Sequence, residues 1–72
     1  MNTAQIDEKI IQIADVLDQI ERLNQMVDFH LNQSGEESMR LQYEYMRRQF
    51  VTKLNDLIQS FQWMVQPLEE GA

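Results

Sequence analysis

Two stretches without helix breakers constrain this chain more than any other feature. Neither Gly nor Pro occurs between residues 3 and 33, or between 36 and 66. Between them lies Asn32-Gln33-Ser34-Gly35, the one turn-like cluster of the interior. In the first stretch Ile6, Ile10, Ile13, Leu17, Ile20, Val27 and Leu31 follow alternating steps of four and three, with Asn24 filling the gap before Val27. A heptad sustained over more than three repeats predicts a helix across residues 3–33. Val16 and Leu23 lie beside that seam and widen it. In the second stretch Met39, Tyr43, Met46, Phe50, Leu54, Leu57, Phe61, Met64 and Leu68 repeat the pattern. Two consecutive steps of four, at Met46-Phe50-Leu54, form a stutter that locally unwinds a left-handed supercoil. Val51, Ile58 and Val65 widen this stripe, and the spacing predicts a second helix across 36–66.

The end signals agree with these bounds. Ser34 and Glu37 have capping-box spacing, and Glu36 and Glu37 suit the N-terminal dipole of the second helix. Asp7 and Glu8 suit the first. Asp18–Arg22, Glu36–Arg40 and Glu44–Arg48 have the acid-before-base spacing of i, i+4 pairs, each worth about 0.3 kcal/mol. Pro67 should end the second helix near Gln66, leaving a tail of residues 67–72 that includes Gly71.

A connection this short makes the helices antiparallel, so the expected fold is all-α: a two-helix hairpin occupying residues 1–72 as one domain, with the turn at about 34–35. Each helix carries an apolar arc of roughly 140°, wider than one neighbour can cover. A chain of 72 residues without Cys and with a single His has neither disulfides nor a thiolate or multi-His metal site to staple it. Self-association is the staple that remains, and two hairpins pairing into a four-helix bundle would cover both arcs. The expected self-association core is Ile10, Ile13, Leu17, Ile20, Asn24, Val27, Met46, Phe50, Leu54, Leu57 and Phe61. A seam Asn such as Asn24 either selects register by pairing its amide or marks a locally wet position.

Charge and composition exclude several functions. Twelve acids against six bases give a net charge of −6. That disfavours nucleic acid and anionic membranes, which need clustered cations. No apolar run approaches the roughly 18 residues of a spanning helix, and the first residues lack a secretory pattern, so a cytoplasmic location is expected. His30 is the only His, and Val27 stands where a Glu-x-x-His metal motif would need its Glu. No phosphate loop or nucleophile–base arrangement is legible. The expectation is therefore no enzyme, no cofactor, no metal and no small-molecule substrate. His30 reads as a cap-region or interface-edge side chain at the end of the first helix.

Two surface features bear on partners. Arg40, Arg47, Arg48 and Lys53 form a candidate basic stripe within an otherwise acidic chain. It could engage structured RNA, or cover the core edge and pair with the acids of the first helix. Met26, Phe29, Leu41, Tyr45 and Trp63 fall outside the apolar arcs, and aromatic residues and Met are common interface anchors. The expected function is a small non-catalytic protein-interaction module, a homodimer that docks a protein partner as an adaptor, co-chaperone or regulatory subunit does. The alternatives are an RNA-binding bundle using the Arg40–Lys53 stripe and a purely structural subunit of a larger complex. In outline alone, such a hairpin resembles the RNA-binding plasmid copy-number regulators and the hairpin co-chaperones of type III secretion, with no residue motif shared.

Overall fold

The structure, a computed structural model, describes residues 3–65. Helix α1 spans Thr3–Phe29, a five-residue π turn spans His30–Ser34, and helix α2 spans Glu37–Met64. The helices pack antiparallel against each other, with overall extents of 55 × 23 × 14 Å. The shortest extent is close to one helix diameter. The hairpin is thus a single layer, with two broad sides. The expected stop near Gln66, the roles of Pro67 and Gly71, and Leu68 of the second stripe all lie outside the described residues.

The chain reverses differently from the capping-box expectation. The α-helical pattern of α1 ends at Phe29, four residues earlier than the spacing suggests, because the backbone widens into the π turn. Gly35 follows at φ 69°, ψ 12°, the left-handed conformation that closes many helices. Glu36 is the N-cap of α2 and its side chain caps nothing. The Ser34 hydroxyl never reaches Glu37. It instead accepts the Glu36 amide at 3.2 Å and meets His30 Nδ1 at 2.6 Å. Asp7 and Glu8 lie beyond the first turn of α1, which holds no acid.

Of the three expected ion pairs, Asp18–Arg22 forms at 3.0 Å. The other two give way to one cluster centred on Arg40, which meets Glu44 at 2.7 Å and Glu37 at 3.8 Å. Arg40 is more enclosed than its neighbours and can hold both acids at once. Glu44 therefore turns back toward Arg40, not forward to Arg48.

The seam of α1 also differs from the expected one. The most enclosed residues are Val16 (4% exposed), Leu23 (6%), Val27 (7%) and His30 (8%), with Ile6, Lys9, Ile13 and Ile20 half-buried. The helix therefore faces α2 through Ile6, Lys9, Ile13, Val16, Ile20, Leu23, Val27 and His30. Positions 6, 13, 20 and 27 belong to both the expected and the observed seam. Their companions lie three residues on and not four, which moves Ile10, Leu17, Asn24 and Leu31 out to solvent. In α2 the expected stripe stands: Met39, Tyr43, Met46, Phe50, Leu54, Leu57, Phe61 and Met64 are all half-buried. None is fully enclosed, because α1 covers only part of the arc.

Candidate interaction surfaces

The hairpin's two broad sides can be assigned from two contacts that cross between the helices. On one side Arg47 Nη1 donates to Asn24 Oδ1 at 2.8 Å. Residues seven apart share a helix face, so Leu17 and Ile10 lie on Asn24's side of α1. Val51 is one turn beyond Arg47, with Ile58 and Val65 repeating at sevens. All five of these apolar residues are exposed. On the opposite side Gln5, Glu8, Lys9 and Gln12 of α1 meet Ser60 and Met64 of α2 around a shallow polar groove of about 250 Å³.

Asn24 itself is exposed, and its amide is used within the hairpin, by Arg47. It is not a core residue of the single hairpin. The other expected core residues of α1 divide: Val27 is buried, Ile13 and Ile20 are half-buried, and Ile10 and Leu17 are open.

The turn end carries a cluster that sequence reasoning passed over. His30 is enclosed, stacks on Tyr43 with ring centroids 5.5 Å apart and 9° between planes, and meets the Phe29 ring edge-on at 5.1 Å. Its Nδ1 is bonded to Ser34, while Nε2 is buried without a hydrogen-bond partner. The signal was present in the i, i+4 spacing of His30 and Ser34, the same spacing that joins Asn32 to Asp28 at 2.6 Å. A Ser–His pair would suggest nucleophilic chemistry on a different scaffold. Here the hydroxyl is shared between the imidazole and the Glu36 amide, and the pair fastens the chain reversal. His30 thus lies in the cap region expected of it, buried against Tyr43.

The four cations do not line up. Arg40 is engaged by Glu37 and Glu44, and Arg47 by Asn24. Arg48 and Lys53 are exposed. At about 100° per residue Arg47 and Lys53 lie some 120° apart around α2, so no continuous basic stripe forms.

The candidate partner contacts are likewise dispersed. Phe29 is half a turn out of phase with Ile20, and Leu41 with Phe50, which places them on opposite outer edges of the hairpin. Both are exposed, as is Ile11, while Met26 is half-buried. Tyr45 and Trp63 are eighteen residues apart, five full helical turns, and so share one line along α2. Trp63 is 77% exposed, the most open large apolar side chain among the described residues, and Tyr45 is 58% exposed.

Among the described residues no three His, Cys, Asp or Glu side chains converge as metal ligands, and no helix is long and apolar enough to cross a membrane. What these surfaces offer chemically is apolar area and aromatic anchors. No family model, curated protein or solved structure matches the chain.

Proposed function

We propose that this chain is a small non-catalytic interaction module that works as a self-associated helical hairpin and docks a partner protein. One observation supports this above the others. Among the described residues only Val16, Leu23 and Val27 are buried apolar residues once the hairpin has closed, while Ile10, Ile11, Leu17, Leu31, Leu41, Tyr45, Trp63 and others are left in water. Ile10 and Leu17 share one broad side with the exposed Val51, Ile58 and Val65, and a contiguous apolar patch of this kind is rare on soluble monomers and typical of interfaces. The scattered cations favour a protein partner over RNA, because a phosphate-binding surface needs an unneutralised basic field.

Sedimentation equilibrium at micromolar concentration tests the self-association: a mass above the 8.6 kDa chain is expected. A well-folded species of monomer mass overturns it. The partner-docking half is tested by Trp63 fluorescence in the assembled protein. Emission typical of solvent-exposed indole is expected, since the anchor stays free for a partner. Blue-shifted emission in the assembly alone favours a purely structural subunit.

A further inference from the structure

The two broad sides differ in kind, and the difference specifies how the hairpin is completed. Polar residues line one, around Gln5, Gln12 and Ser60. The other exposes Ile10, Leu17, Val51, Ile58 and Val65. We propose that a second copy of this chain covers the apolar side, seated so that each α1 lies along the partner's α2 and both turns sit at the same end of the bundle. This rests on the self-association proposed above and assigns it a face and an orientation.

The exposed surface is large enough to seat a second copy. A folded monomer of 8.6 kDa typically exposes about 4,700 Å², whereas this chain exposes 5609 Å². The elongated hairpin thus has surface to spare for the ~800 Å² that each partner of a standard protein interface contributes.

Charge selects the orientation. Within the described bounds α1 carries six acids and two bases, α2 three acids and four bases. Placing α1 on the partner's α1 would oppose two acidic helices, whereas α1 on α2 opposes unlike charge. The distribution of polarity along the face gives the same answer. Its turn half carries Asn24–Arg47 and Arg40–Glu44 beside the exposed Leu31, its middle carries Leu17 and Val51, and its open half carries Ile10, Ile58 and Val65. Full overlap with turns at opposite ends would lay the Arg40–Arg47 region over the other copy's Ile10 and Ile58, desolvating charge against hydrocarbon. With turns together, apolar half meets apolar half, and Ile13 and Ile20, half-buried in one hairpin, become enclosed. The bundle also leaves Tyr45 and Trp63 on its outside, available to a further partner.

Three measurements on the full chain test this in turn. Sedimentation equilibrium should give twice the 8.6 kDa chain mass; a monomer overturns the underlying reading, and a larger oligomer overturns the two-copy arrangement. Leu17→Glu, at a position already exposed in the hairpin, should keep its helical circular dichroism at high concentration and weaken association about tenfold or more, the scale of a charge buried in an apolar contact. Gln12→Glu on the polar side should change association little. The reverse ranking overturns the choice of face while leaving self-association intact. Because the chain has no Cys, a nitroxide attached to Gln33→Cys reports the turn-to-turn separation alone. A distance well inside the ~40 Å length of a 27-residue helix is expected. A separation at or beyond that length overturns the orientation.

Discussion

The turn half and the open half of this hairpin belong to the same two helices but reach different degrees of closure. Toward the turn, Leu23, Val27 and His30 are buried, Tyr43 stacks on the imidazole, and Arg40 gathers two acids. Toward the open end, Ile6, Ile13, Leu57, Phe61 and Met64 are only half-buried, and Ile10, Leu17, Ile58 and Val65 are exposed. Local connectivity accounts for part of this, since the turn holds one pair of ends together at no further entropic cost. Residue choice accounts for the rest. The turn half uses planar rings and hydrogen bonds that two helices can satisfy by themselves. The open half carries aliphatic side chains wide around each helix, which two helices cannot cover. The turn half closes around His30 by folding alone, and the open half is where the proposed pairing of two hairpins would act.

Mutations can break or sharpen that contrast. The largest effect should come from Leu23→Ala, which empties a buried site in the turn half and should cost about 3 kcal/mol. Urea unfolding should show that loss at all protein concentrations, whereas Ile10→Ala, exposed in the hairpin, should matter only where the chain associates. Equal concentration dependence for both would erase the distinction between the halves. Next, Gly35→Ala should cost about 1 kcal/mol. A new Cβ there meets nothing within 4 Å, so the loss comes from holding a side chain at φ 69°. The same denaturation midpoint measures it.

A smaller effect is expected from His30→Leu. It gives up the Ser34 contact but removes a buried, unpartnered Nε2, and thermal unfolding should change by less than about 1 kcal/mol. Ser34→Ala should be the more damaging change, because it leaves both ring nitrogens without a partner. If His30→Leu proves the worse of the two, the stacking on Tyr43 carries more than the hydrogen bond. Smallest of all, Asp18→Asn should cost about 0.3 kcal/mol, since the Asp18–Arg22 pair lies well exposed on the surface.

The two helices, their antiparallel order and the stripe of α2 were legible because Gly and Pro are confined to the turn and tail and the apolar spacing is regular. Which flank of the wide α1 arc meets α2 was not legible, for a definite reason. Its apolar arc contains two overlapping heptads that share Ile6, Ile13, Ile20 and Val27. One adds Ile10, Leu17 and Leu31 and looks the more apolar; the other adds Lys9, Val16, Leu23 and His30. The structure adopts the second because its polar members have places to go. Lys9 lines the polar groove together with Met64, and His30 stacks on Tyr43. Spacing alone cannot rank two registers when the deciding contacts come from the other helix. The turn chemistry was misread similarly: Ser34 has the spacing for a capping box, but a nearer imidazole and the Glu36 amide take its hydroxyl. Of the candidate surfaces, exposure of Tyr45 and Trp63 was legible from their phase relative to the stripe. The dispersal of the four cations was not, because it depends on which neighbour each guanidinium finds.

The π turn with its fastened imidazole has a consequence for the order of events in folding. Tyr43 follows His30 by thirteen residues, and Arg47 lies 23 residues from Asn24. Contacts between the far ends of the helices, such as those flanking Gln5 and Met64, close loops of more than fifty residues. Short loops close first, so the chain should zip from the reversal outward as a low-contact-order, unimolecular reaction. On the proposed pairing of two hairpins, the final clasp at the open end would be a bimolecular event that waits on encounter between two chains. Its rate scales with how much protein is present, so dilute refolding should stall with the turn region already ordered.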